Sequence, residues 1–221
     1  MTLLDFPGRV ACTVFLGGCE FRCPFCHNAD ILDMNAPALM EEDELMSFLK
    51  TRQGLLDGVA FTGGEPLLRK GLDELFKKIR DLGYKIKLDT NGNHPKYLAG
   101  LLEEGLIDYV AMDVKNSRER YGETIGLPEY DPSNIDESIK ILLSGNVDYE
   151  FRTTVIKQFH DEKSFEGIAE WIAGAKNYFL QGFVDRDTVP YSGFEAYGAD
   201  EMEHFAEIVR RKVQYVDVRG V

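Results

Sequence analysis

The sequence is short of positive charge, of long apolar runs and of cysteine, and each shortage excludes something. Only 25 Lys and Arg stand against 38 Asp and Glu, a net charge of −13 over 221 residues. Nucleic acid and anionic membranes are held by clustered cations, so neither is expected as a partner. No apolar run approaches the roughly 20 residues of a spanning helix. The opening, MTLLDFPGRV, lacks the basic region and apolar stretch of a secretory signal, which points to a cytoplasmic protein. Four cysteines in a chain of this length do not make a disulfide framework.

What is there is an ordinary globular composition, 44% apolar and 29% charged. No break in composition and no linker divides it, so residues 1–221 read as a single domain. β-rich runs at 10–15, 58–61, 84–89, 108–114, 149–155, 177–183 and 213–218 alternate with amphipathic stretches at 41–53, 71–82, 95–104, 133–144, 164–175 and 200–211. In 71–82 the residues Leu72, Leu75, Phe76 and Ile79 keep helical spacing, and Gly83 offers a cap. Strand and helix alternating six times predicts an α/β fold with a parallel sheet. A partial barrel fits the count, with a doubly wound sheet as the alternative.

The unusual residues fall just after the strands. Cys19, Cys23 and Cys26 follow the first, TGGEP (62–66) the second, DTNG (89–92) the third and MDVK (112–115) the fourth, while Gln181 ends the sixth. Parallel α/β folds build their sites at the carboxyl ends of strands. These motifs should meet at one mouth.

Four thiolates close a zinc or iron–sulfur site. Three on a cubane cluster leave one iron open to an outside ligand. Zinc with His27 as fourth ligand is the alternative, although Cys26 and His27 are adjacent and no second cysteine pair exists. Cys12 lies mid-strand and reads as a small buried apolar residue. TGGEP lacks the Lys-Ser/Thr of a phosphate loop. Its glycines would let backbone approach a ligand, and Glu65 would accept from a ligand ammonium.

The C-x3-C-x2-C spacing with Gly-Gly-Glu resembles the radical S-adenosylmethionine (SAM) superfamily. The run LDFPGRVACTVFLGGCEFRCPFCHN is similar to the glycyl-radical-enzyme activases, which also carry LDTNG-like and MDVK-like segments. Within that group, TLLDFPG and the closing VRG resemble the activating proteins of anaerobic ribonucleoside-triphosphate reductase. The resemblance implies a partial (β/α)6 barrel of the TIM-like, radical SAM type. It implies a 4Fe–4S cluster on Cys19, Cys23 and Cys26, with SAM on the open iron. Gly63, Gly64 and Glu65 would meet the methionine end of SAM; Phe25, with His27 behind it, would meet the adenine. Asp89, Thr90, Asp113 and Lys115 would lie near the ribose and carboxylate, where some members hold a monovalent cation. Arg152 is either a further SAM contact or a charge paired inside the barrel. The partner implied is a glycyl radical enzyme, first the anaerobic ribonucleotide reductase, with another such as pyruvate formate-lyase, or a small-molecule substrate, as the alternative; a flavodoxin-like protein is the implied electron donor.

Two departures matter. Only Cys12 is left over, so the extra clusters of some activases are excluded. LQGFVDRD (180–187) stands where formate-lyase activases have Pro-Tyr-His. Among the remaining residues, His94, His160 and His204 read as solvated or capping. Met40, Met46 and Met202 read as core filler, and EEDE (41–44) as the acidic start of a helix.

Overall fold

The computed structural model describes residues 2–35 and 37–221. The β-rich runs become seven strands: β1 (Ala11–Leu16), β2 (Gly58–Gly63), β3 (Lys85–Thr90), β4 (Tyr109–Asp113), β5 (Asp148–Val155), β6 (Asn177–Gly182) and β7 (Tyr215–Arg219). They lie side by side in sequence order, every neighbouring pair parallel. A doubly wound sheet changes direction at a switch point. This order never does, so the fold is the partial barrel. Its six strand–helix units are followed by a seventh parallel strand. Among the described residues no pairing joins β7 back to β1, and the barrel stays open on that side.

The helices are α1 (Glu42–Lys50), α2 (Leu72–Asp81), α3 (Pro95–Glu103), the single turn α4 (Tyr121–Thr124), α5 (Ser133–Leu143), α6 (Glu162–Trp171) and α7 (Ala199–Arg210). Leu72, Leu75, Phe76 and Ile79 of α2 are all buried against the sheet, with Phe76 4.8 Å from Phe61 of β2 between ring centroids. Burying four such side chains contributes roughly 6–12 kcal/mol before conformational entropy is set against it. Gly83, at φ +92, donates its N–H to the Arg80 carbonyl and ends the helix. α6 begins two residues before the apolar pattern suggested, because the Asp161 carboxylate caps the Ser164 N–H at 2.9 Å. Glu41 to Glu44 do open α1, where the Glu44 carboxylate accepts the Glu41 N–H at 2.9 Å.

The amino-terminal end of the barrel is plugged. Phe6, 2% exposed, lies beneath β2 at Gly58, where an added Cβ would stand 2.8 Å from its ring. The ring tilts against Tyr109 of β4 at 6.2 Å. Asp5 accepts from the Thr13 hydroxyl of β1 at 2.7 Å. The LDFPG lead-in is therefore a floor. Above it, on the open side, Arg219 of β7 stacks 3.3 Å over the Phe179 ring and reaches the buried Glu150 carboxylate at 3.3 Å.

Two expectations change. Met40 is exposed, whereas Met202 is in the core and Met46 half-buried. His160 is neither solvated nor a cap but almost fully buried. Its Nε2 donates to the Lys115 carbonyl at 2.8 Å, which leaves Nδ1 to accept the Ile156 N–H at 3.2 Å. His204 is exposed, and His94 is half-buried against Glu20. Among the described residues no helix is long and apolar enough to cross a membrane.

Candidate active site

The cysteine loop leaves β1 and is fastened at several points. Gly18 N–H donates to the Ile31 carbonyl at 2.8 Å, and the Arg22 guanidinium to the Cys19 carbonyl at 2.6 Å. Asn28 Nδ2 donates to the Gly63 carbonyl at 2.7 Å, tying the loop to the end of β2. His27 stacks on Phe183 at 5.5 Å and donates from Nε2 to the Val184 carbonyl at 2.7 Å, tying it to the chain leaving β6. Phe25 is buried between Phe159 and Phe194.

At the end of β2 the glycines do something the sequence reading missed. Gly63 has φ +118, and a Cβ there would lie 2.5 Å from the Leu16 carbonyl oxygen; at Gly64 it would lie 2.0 Å from that of Gly18. The space is taken by the start of the cysteine loop, so these glycines first of all let two backbones meet. Glu65 also differs from expectation. Its carboxylate does not line the cavity but accepts from Leu67 N–H (3.0 Å), the Thr90 hydroxyl (2.8 Å) and Asn91 N–H (2.6 Å). It holds the β3 turn in place, and three of its roughly four acceptor sites go to the chain itself. Burial pushes it up to about 7 even against those three donors.

Across the mouth the charges are paired. Arg152 of β5 reaches Asp113 at 3.0 Å and Asp89 at 3.3 Å. Lys115 pairs with Asp113 at 2.8 Å, and Lys87 pairs with Asp89. Arg152 is thus a charge paired inside the barrel, and it also lines the cavity. Burial would raise Asp113, but the Arg152 and Lys115 cations outweigh it and hold the carboxyl at about 2.

The cavity measures about 250 Å³. Cys19, Cys23 and Cys26, Phe25 and His27, Gly63 and Gly64, Asp89 and Thr90, Asp113, Lys115 and Arg152 all line it. So do Asn28, Thr62, Asn91, Thr154 and Gln181. In the sequence Asn91 stands out only as part of the NG pair that closes DTNG, and Asn28 only as the end of the cysteine motif; neither side chain is assigned a role there. Burial pushes the Cys19 thiol up to about 12 and Cys23 to about 11. Thiols placed like this keep their protons unless a metal displaces them. Among the described residues no three His, Cys, Asp or Glu side chains converge on one ion, and His27 is turned to Val184. Three sulfurs spread around a cavity fit a cluster with a separate iron for each thiolate, and do not fit a single zinc.

Three thiols at the top of a partial parallel barrel, facing paired charges across one cavity, define an enzyme of the radical SAM type. The chain belongs to the radical SAM superfamily, whose sequence profile matches residues 13–172. Its cofactors are those of the superfamily, a 4Fe–4S cluster and SAM. A protein of Methanocaldococcus jannaschii, named by inference as a glycyl-radical enzyme activating enzyme, is 28% identical over 229 residues, covering 100% of this chain and 93% of its own length. The pyruvate formate-lyase-activating enzyme of Clostridium pasteurianum is 35% identical over 123 residues, 52% of this chain and 50% of its own. Streptococcus suis SuiB, solved with S-adenosylmethionine bound, superposes with a TM-score of 0.75 at 13% identity, over 98% of this chain and 51% of that one. At that identity the likeness is one of fold. The chain spans about half the length of the latter two proteins.

Proposed function

We propose that this chain is a cytoplasmic activase that installs a glycyl radical on a partner enzyme, the anaerobic ribonucleotide reductase, with residues 1–221 forming one catalytic domain. The observation that carries the reading is the three-thiol arc of Cys19, Cys23 and Cys26 facing the Asp89–Arg152–Asp113–Lys115 array across a single cavity. Likeness to the M. jannaschii protein along the whole chain supports an activase. The TLLDFPG opening and VRG ending support the reductase as partner.

In this reading Cys19, Cys23 and Cys26 hold the cluster, and the cavity they share holds SAM. Bound together, the two would supply one-electron reductive cleavage of the sulfonium, the electron coming from an external donor protein, and with it the abstraction of a hydrogen atom from a glycine Cα. The chain's own residues bind, orient and exclude water. Gly63 and Gly64 offer backbone at the cavity wall close to the cysteine loop, and Glu65 fixes Thr90 and Asn91 opposite. Asp113 stays ionised between two cations, so a ligand ammonium finds a carboxylate and a ligand carboxylate finds Arg152 or Lys115. A monovalent cation would take its place beside Asp89 and Asp113. Phe25 would meet the adenine through its backbone, with His27 behind it, from a loop already pinned at both ends. A flavodoxin-like protein is the proposed electron donor.

Electron paramagnetic resonance of anaerobically reconstituted, reduced protein tests the site. A cluster signal that shifts on adding SAM is the expected result, and a signal indifferent to SAM removes the enzyme reading. Adding the reductase should then produce a glycyl doublet. A doublet formed only with pyruvate formate-lyase would move the assignment to that partner.

A further inference from the structure

Beside Cys19 lies a set of polar groups, Asn91 among them, to which the reading above gives no chemical role. Asn91, 6% exposed, follows β3 directly, and the chain consumes nearly all of its hydrogen-bonding capacity. Its backbone N–H goes to Glu65. Its side-chain oxygen accepts the Asn93 N–H at 2.9 Å. A backbone N–H can only donate, so the other end of that amide must be the –NH2. This end lies 3.3 Å from Glu20 Oε1 and 3.9 Å from Cys19 Sγ, at the outer reach of a sulfur acceptor.

The bracket around it is equally fixed. Glu20 Oε1 also receives Asn93 Nδ2 at 2.9 Å and faces His94 Nε2 at 3.0 Å. Asn93 Oδ1 is held by the Tyr130 hydroxyl at 2.6 Å and by Asn134 Nδ2 at 3.1 Å. Glu20 Oε2 is buried and has no hydrogen-bond partner among the described residues. A carboxylate left half-satisfied beside a cysteine sulfur is costly. Here it serves to take one amide hydrogen of Asn91 and aim the other at the sulfur.

We infer that Asn91 is a positioning residue that donates to the Cys19 sulfur and raises the reduction potential of the cluster, with Glu20 aiming the amide. The inference rests on the cluster assignment proposed above. Reduction adds negative charge that spreads onto the sulfur ligands, so a donor to sulfur stabilises the reduced form more than the oxidised one. Without such a donor, Glu20 is still held by Asn93 and His94, but no hydrogen bond to the sulfur offsets its charge.

Potentiometric titration with dithionite, read by electron paramagnetic resonance, would compare the wild type with Asn91→Ala and Asn91→Asp at equal iron content. The midpoint should fall in both variants and further in Asn91→Asp. Electron–nuclear double resonance before and after exchange into D2O should lose one exchangeable proton coupling in each. Asn91→Asp is isosteric and keeps the acceptor for Asn93, so its lost proton coupling stands as the readout if Asn91→Ala fails to fold. Unchanged midpoints with unchanged proton couplings overturn the inference and leave the cluster assignment intact. A wild type that takes up no cluster overturns both.

Discussion

The two ends of the barrel are built from the same strands and solve opposite problems. At the floor, Phe6 fills the space that Gly58 leaves, with Tyr109 against it, and the polar contacts, Asp5 on Thr13 and Arg9 over the Phe6 ring, serve only to hold the plug. At the mouth, Gly63 and Gly64 are also close-packed, but against the backbone of the cysteine loop. The side chains around them are thiols, carboxylates and cations. Glycine thus admits an aromatic plug at one end and a functional loop at the other. The lesson is that the floor carries stability without chemistry, whereas the mouth spends stability, through buried Glu65 and an unpaired oxygen on Glu20, on holding polar groups in place.

Substitutions can break that contrast or sharpen it. Cys23→Ala should have the largest effect and should fall on chemistry: cluster content and 5′-deoxyadenosine formation drop by more than about 100-fold, beyond the loss expected of a residue that only supports a ligand. Folding, followed by circular dichroism, should change little. Phe6→Ala should do the reverse. It should cost about 3–5 kcal/mol in urea unfolding, with iron uptake per folded chain preserved; lost uptake would mean the ends are not separable.

His160, which donates to the Lys115 carbonyl at the mouth end, makes the stability depend on pH. Burial pushes its imidazole down to about 4 from an ordinary value near 6.5. The folded protein therefore resists its protonation, and the stability is complete above pH ~6.5 and lost as pH falls towards 4. The loss should reach about 3 kcal/mol. His160→Gln should flatten that part of the urea-midpoint profile against pH, and an unchanged slope would remove His160 as its cause. The smallest effect should come from the interior between the ends. Among the described residues, Arg219→Gln leaves the buried Glu150 carboxylate with the Tyr109 hydroxyl at 3.0 Å as its remaining side-chain donor, and it should cost about 1–2 kcal/mol by the same unfolding assay.

Much of this was legible in the sequence where local rules suffice. Apolar runs punctuated by glycine placed all seven strands to within two residues at either end, and the 3.6-residue spacing of Leu72, Leu75, Phe76 and Ile79 fixed a buried helix face. The residues that line the cavity were legible because they cluster directly after strands, where a parallel barrel gathers them. The rest depends on segments far apart in the chain coming together. Glu65 reads as a ligand group until Thr90 and Asn91 arrive to occupy it. Phe6 is only part of a motif until Gly58 and Tyr109 surround it. His160 looks like a loop histidine until the Lys115 carbonyl accepts from it across 45 residues. No periodicity encodes such pairings.

Strands laid down in the order of synthesis have a temporal consequence. Each strand finds its partner in the strand translated just before it, so the sheet can grow by accretion as the chain emerges. The cysteine loop appears with β1 and receives its cover, from Asn91 through Arg152 to Gln181, in instalments. During synthesis the three thiols of Cys19, Cys23 and Cys26 therefore stand open to whatever metal or oxidant is at hand, and only the completed barrel shelters them.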